Sequence, residues 1–203
     1  MSLRQAHSPA LSLSNVAVIR GNRLVFNGFS LGAGAGDILW IRGANGSGKS
    51  TLLRLIAGLL PKASGQMEVA GVIALADENL ALDPNMSLES ALGFWAKMDT
   101  TAANVREKAL AAMDLVPLAD IPIRYLSTGQ RKRATLSRLF ASQALIWLLD
   151  EPYNGLDSAN TTRLDAALLK HASAGGIALV AAHQAPSINV AQSILLDRQR
   201  TAA

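Results

Sequence analysis

Eight residues constrain this chain more than any others: Gly43-Ala44-Asn45-Gly46-Ser47-Gly48-Lys49-Ser50. They fit G-x-x-x-x-G-K-[ST] at every fixed position. The flanks matter as much as the match. Ile38 to Ile41 is a short apolar run of strand character. From Ser50 onward the apolar period is helical, with Leu52, Leu53, Leu55, Ile56, Leu59 and Leu60 sharing one side. Pro61 is the expected stop of that helix. A strand, a glycine loop and a helix in this order make a cradle for phosphate. Glycines let the backbone wrap closely around an anion. The loop amides and the helix N-terminus point positive partial charge at it. Lys49 adds a full charge near the β and γ groups of a nucleotide. The Ser50 hydroxyl is suited to Mg²⁺, and Thr51 adds a further donor.

The rest of the chain alternates strand and helix signals. Leu11 to Ile19 and Leu24 to Leu31 read as two strands joined at Gly21 and Asn22. Met67 to Ala76 reads as strand, turn, strand around Gly71. Ser87 to Met98 and Asn104 to Asp114 read as helices, bounded by Pro84 and Pro117. Ser127 to Ser142 is a further helix, Leu145 to Leu149 a buried strand, and Ser158 to Ala174 a helix capped by Gly175. Ile177 to Ala182 is an all-apolar strand. This alternation indicates an α/β fold with a mostly parallel sheet. The 203 residues suit a single domain, 1–203, and half of them are hydrophobic, enough for a large core. With no cysteine, a disulfide scaffold, a thiolate metal site and a cysteine nucleophile are excluded. A net charge of +4 mildly favours an anionic partner. No window approaches ~18 uninterrupted apolar residues, so no transmembrane helix is expected. The N-terminus lacks the apolar block of a signal peptide.

A second constellation lies downstream. The apolar run Leu145 to Leu149 leads straight into Asp150-Glu151-Pro152. Two acids at the end of a buried strand are costly unless they meet a cation. Asp150 is the candidate to hold Mg²⁺ beside Ser50. Glu151, one residue on, is the candidate general base that polarises the attacking water. Pro152 turns the chain away.

Between these two sites stands Leu126-Ser127-Thr128-Gly129-Gln130-Arg131. It resembles LSGGQ, the signature of the ABC ATPases, with Thr128 in place of one glycine, and it precedes Asp150 at the family's spacing. The resemblance covers essentially the whole chain. It implies a P-loop NTPase fold with a parallel core, an N-terminal antiparallel β subdomain and an inserted helical subdomain at about 80–142. It also implies a homodimer that sandwiches two ATP molecules. Ser127, Gly129 and Gln130 of one copy would then face the γ-phosphate held by the other. Asn154-Gly155-Leu156-Asp157 is similar to the dimer-contacting D-loop, with Asp157 the matching residue. His183, after the last apolar strand, matches the switch histidine that contacts the γ-phosphate. The family's glutamine before the helical subdomain is missing from Ala76-Asp77-Glu78-Asn79-Leu80. Asn79 is its nearest chemical substitute as a Mg²⁺ sensor and Glu78 the runner-up. Where the family stacks adenine on an aromatic, this chain has Arg20, whose guanidinium plane can stack.

The short length, the stretch Ala144 to Asp157, Arg20-Gly21 with Arg23, and the LS-x-GQ signature are similar to the haem-exporter ATPases of cytochrome c maturation. That likeness implies a peripheral subunit on the cytoplasmic face of the inner membrane, coupled to integral membrane transporter subunits. No direct haem binding is expected. The basic run Arg131, Lys132, Arg133 and Arg138 lacks the interleaved aromatics of a nucleic-acid site, so no nucleic-acid partner is expected. A single-site P-loop kinase would have no use for Ser127 to Gln130. Soluble ABC scaffolds usually carry two P-loops or a long coiled-coil insertion.

Overall fold

Two sheets, one antiparallel and one parallel, share the core of this chain. The computed structural model describes residues 8–77, 81–99 and 103–197. Three strands form an antiparallel sheet: β1 (Ala10–Arg20), β2 (Arg23–Gly34) and β4 (Ser64–Ala70), in the order β2-β1-β4. The β1–β2 hairpin closes on Gly21 and Asn22, both left-handed at φ 54° and 59°. That geometry matches the twist of the flanking strands.

Five strands form the second sheet: β3 (Ile38–Arg42), β5 (Ile73–Ala76), β6 (Ile146–Asp150), β7 (Ile177–Ala181) and β8 (Gln192–Leu195). Their order is β5-β6-β7-β3-β8, and every pairing is parallel. Strands β6 and β7 are buried at each position, as expected of a sheet covered on both faces. The period of two divides their side chains. Ile146, Leu148, Ile177 and Leu179 face one core, with Leu39 and Ile41 of β3. There they meet α1 (Lys49–Ile56) through Leu52, Leu53, Leu55 and Ile56, together with the inner face of the antiparallel sheet. Trp147, Leu149, Ala178 and Val180 face the opposite core.

That second core is covered by α2 (Leu88–Met98), α3 (Ala103–Ala112), α4 (Thr128–Ala141) and α5 (Ser158–Ser173). Ser87 caps α2 by accepting from the Ser90 amide. Arg133 of α4 donates to the carbonyls of Met113 and Asp114, at 2.8 and 3.0 Å, tying α4 to the chain just beyond α3. α5 ends at Ser173, and Gly175 just beyond its cap turns left-handed at φ 87°, as its sequence suggests.

Three details depart from the sequence expectations. α1 ends at Ile56, because Gly58 adopts φ 75° and turns the chain before Pro61 is reached. Leu59 therefore leaves the apolar face and is exposed. The two strands around Gly71 part company, β4 joining the antiparallel sheet and β5 the parallel one. Strand β8 carries no sequence signal: it is four residues, Gln-Ser-Ile-Leu, and mostly exposed.

Candidate functional site

The phosphate-loop motif leaves the C-terminal end of β3 and enters α1, at the edge where β6 and β7 also end. Gly43, Gly46 and Gly48 have φ of 156°, 74° and 108°. Two of them have no room for a side chain. A Cβ at Gly43 would overlap the Leu196 carbonyl and the Ser47 hydroxyl, and one at Gly48 would sit 2.8 Å from Val25 Cγ1. The loop is thus locked between β8 and the β1–β2 hairpin. A cleft of about 370 Å³ opens over it, lined by Ala44, Asn45, Gly46, Gly48, Lys49, Ser50 and Thr51, with Arg20, Val25 and Glu151. Val25 belongs to no motif in the sequence; only the hairpin register brings it here.

Lys49 is 6 % exposed, which makes its ammonium expensive without partners. Its Nζ donates to the Gly43 carbonyl at 2.8 Å and lies 3.3 Å from Glu151 Oε1 and 3.4 Å from His183 Nε2. His183 Nε2 in turn meets Asn45 Oδ1 at 2.6 Å and Glu151 Oε1 at 3.5 Å. The His183 amide donates to Glu151 Oε2 at 3.3 Å. Lysine, carboxylate and imidazole therefore converge within one hydrogen-bonding shell.

Glu151 gets there by an unusual route. Its φ is +45°, a left-handed conformation that costs a non-glycine residue about 1–2 kcal/mol. Its amide donates to Ala181 O at 2.7 Å, which pins the backbone to the end of β7. The same turn carries Tyr153, whose buried hydroxyl donates to Asp165 Oδ1 at 2.6 Å. Burial, reinforced by the Asp165 carboxylate, holds the Tyr153 hydroxyl far above the usual phenol range. Strain at a carboxylate held in place by its neighbours marks a residue whose position matters.

Asp150 ends β6 beside Ser50. Burial pushes its carboxyl above the usual range, opposed first by a hydrogen bond from Ser50, while the charge of Glu151 pushes further up. Asp150 Oδ1 is buried and has no hydrogen-bond partner among the described residues. A hydroxyl and an under-satisfied carboxylate side by side suit a hard cation that takes its other ligands from water and phosphate. No group of three acidic, histidine or cysteine residues gathers anywhere among the described residues. Arg54 of α1 pairs with Asp77 at 3.2 Å, just before Glu78 and Asn79, which lie outside the described residues.

The remaining candidates are not part of this cleft. Ser127 caps α4: its Oγ accepts from the Gln130 amide, while Gln130 Oε1 accepts from the Ser127 amide at 2.7 Å. A Cβ on Gly129 would lie 3.1 Å from the Gly155 carbonyl, so the signature helix starts against the turn that precedes Asp157. Asp157 caps α5, accepting from the Asn160 amide at 2.8 Å and its side chain at 2.9 Å. The structure thus gathers Gly43 to Thr51, Glu151, His183 and Arg20 at one cleft with Asp150 beside Ser50, and leaves Ser127, Gly129, Gln130 and Asp157 outside it.

Comparison with known proteins identifies the family. The family described as ABC transporter matches residues 26–154. The chain belongs to the ABC transporter ATPases. A protein named cytochrome c biogenesis ATP-binding export protein CcmA, from Sphingopyxis alaskensis, is 52 % identical over 88 % of this chain and 92 % of its own length. Its namesake from Novosphingobium aromaticivorans is 46 % identical over 95 % and 94 %. Within the ABC ATPases the chain is of the CcmA type. A bacterial Atm1-family ABC exporter with ATP bound shares the fold, with a TM-score of 0.81 and 19 % identity over 94 % of this chain and 37 % of that one. The ATP-binding subunit of another ABC transporter superposes with a TM-score of 0.76 at 21 % identity, over 85 % and 79 %. Among the described residues of this ABC ATPase, no helix is long and apolar enough to cross a membrane.

Proposed function

We propose that this chain is the ATP-hydrolysing subunit of an export complex serving cytochrome c biogenesis. One observation carries the reading. Lys49, Glu151 and His183 converge on a glycine cradle, while the signature serine of the same chain stands outside that cleft. A second copy, turned head to tail, would supply the missing wall. ATP then lies between the phosphate loop of one copy and Ser127, Gly129 and Gln130 of the other, with Asp157 at the contact. Arg20 stacks on adenine. The unit is one ABC ATPase domain with its helical subdomain at about 80–142.

The chemistry follows from charge and position. Lys49 and the loop amides neutralise the phosphates. Ser50 and Asp150, with Asn79 as a further candidate, would hold Mg²⁺; when bound, the ion offsets charge on the β- and γ-oxygens. Glu151 leaves Lys49 to the incoming phosphates, then orients a water and accepts its proton. His183 moves from Asn45 to the γ-phosphate and holds it in line. Catalysis is positioning plus electrostatic stabilisation. The subunit docks peripherally on integral membrane subunits at the cytoplasmic face of the inner membrane. It supplies work, without binding haem or nucleic acid.

The Glu151→Gln variant tests this. It should bind ATP, fail to turn it over and accumulate as a dimer, read by light scattering after gel filtration. Persistent monomers with ATP, Mg²⁺ and the membrane subunits present would refute the composite site. Co-purification of that variant with membrane subunits of no relevance to cytochrome c assembly would refute the export assignment alone.

A further inference from the structure

A second cavity lies at the opposite end of the parallel sheet, where β6 and β7 begin. It measures about 620 Å³, within the range of small-molecule sites. α3 and α5 form its sides, and the residues that lead into β6 and β7 form its floor. Apolar atoms dominate the walls: Ala109 and Ala112 from α3, Ala166 and Ala167 from α5, and Trp147 beneath. Trp147 is immobilised. Its ring stacks on Phe140 at 5.2 Å and on His171 at 3.8 Å between centroids, the latter within 7° of parallel. A Cβ on Gly176 would run into the His171 ring, so glycine is required for that stack. The cavity floor is rigid and preformed.

Its charge is one-sided. Lys108 of α3 and Arg163 and Lys170 of α5 line it, and among the described residues no aspartate or glutamate does. Among the described residues, none of the three cations has a salt-bridge partner within 4.0 Å; Arg163 only donates to Asn160 Oδ1 at 3.4 Å. Lys170 sits in the last turn of α5, where it also balances the helix terminus. Arg163 lies in the first half of that helix, where the terminus gives no such reason. An apolar chamber with unpaired cations on both sides is complementary to an amphipathic anion.

We infer that this cavity binds a small organic anion with an apolar body and one carboxylate or phosphate head, the body lying on Trp147 and the alanines, the head between Lys108, Arg163 and Lys170. The site is remote from the nucleotide cleft, and neither Lys108 nor Lys170 belongs to that machinery.

Decanoate is the probe, with decanamide as its uncharged counterpart. Binding is read by calorimetry on the full chain. A second readout is the ¹⁵N indole spectrum, which carries three tryptophan signals; the Trp147→Phe variant identifies the relevant one. One decanoate should bind per chain and shift the Trp147 signal, and decanamide should bind about tenfold more weakly. The double variant Lys108→Ala/Lys170→Ala should weaken decanoate at least about tenfold with ATPase activity unchanged. Ala167→Trp, which fills the chamber, should abolish binding while leaving the fold intact by circular dichroism. Equal affinity for decanamide, or decanoate affinity untouched by both variants, would overturn the inference. Phosphatidylglycerol vesicles distinguish a bilayer surface from a free anion. If vesicles recruit the chain through Lys108 and Lys170 while decanoate leaves Trp147 unmoved, the patch is a membrane contact and the proposal fails.

Discussion

Replacing Lys49 by alanine should separate the contribution of charge from that of the cradle's shape. The ammonium is nearly buried, so solvent does not screen it away. At about 4 Å from a phosphate charge, with an effective dielectric constant near 20, a unit charge contributes about 4 kcal/mol. That corresponds to roughly a thousandfold in affinity. In the structure the same charge is shared between the Gly43 carbonyl, Glu151 and His183. Some of the gain is therefore already spent, and the figure is an upper value. The assay is equilibrium binding of a non-hydrolysable ATP analogue, set against AMP. Lys49→Ala should lose most of its affinity for the triphosphate and little for AMP, which lacks the phosphates that the lysine reaches. A triphosphate affinity within about tenfold of the parent would refute the reasoning. It would mean that backbone amides alone carry the site.

Three further outcomes are expected. His183→Ala should leave nucleotide binding intact and slow single-turnover hydrolysis by about a hundredfold; an unchanged rate would make its bond to Asn45 structural only. Tyr153→Phe should lower stability to urea by about 1–3 kcal/mol, since it strips a donor from a buried carboxylate, and an unchanged midpoint would show that solvent reaches Asp165. Burial pushes the His171 imidazole below its ordinary value, against hydrogen bonds to the Ile177 and Leu145 carbonyls. The folded chain therefore binds this proton less readily than the unfolded one, and the resulting stability is lost as pH falls from the ordinary histidine value near 6.5 toward the lowered one. In urea titrations across that window the parent should lose stability relative to His171→Phe as pH drops, and a constant gap would contradict the assignment.

What could be read beforehand was whatever rests on local chemistry. The cradle, the buried strands at Leu145 and Ile177, and the helix that opens at Ser127 each leave a pattern within a few neighbouring residues. What escaped depends on distant partners. β8 exists because β3 offers an open parallel edge, and its own four residues are too polar to announce it. α1 ends short of Pro61 because a left-handed glycine, Gly58, turns the chain three residues earlier. β4 and β5 look like a hairpin in one dimension, but their partners β1 and β6 belong to different sheets. Val25 reaches the cleft and Tyr153 reaches Asp165 through tertiary packing that no period encodes.

The reciprocal pair at the start of α4 has one more implication. Its serine oxygen is engaged as an acceptor, which leaves the hydroxyl proton uncommitted, and its rotamer is fixed without help from any visitor. An approaching anion would find the oxygen already placed, with only the rotation of the hydroxyl proton left to settle. The cost of joining two copies would then fall on the swing of whole bodies and hardly at all on this helix tip.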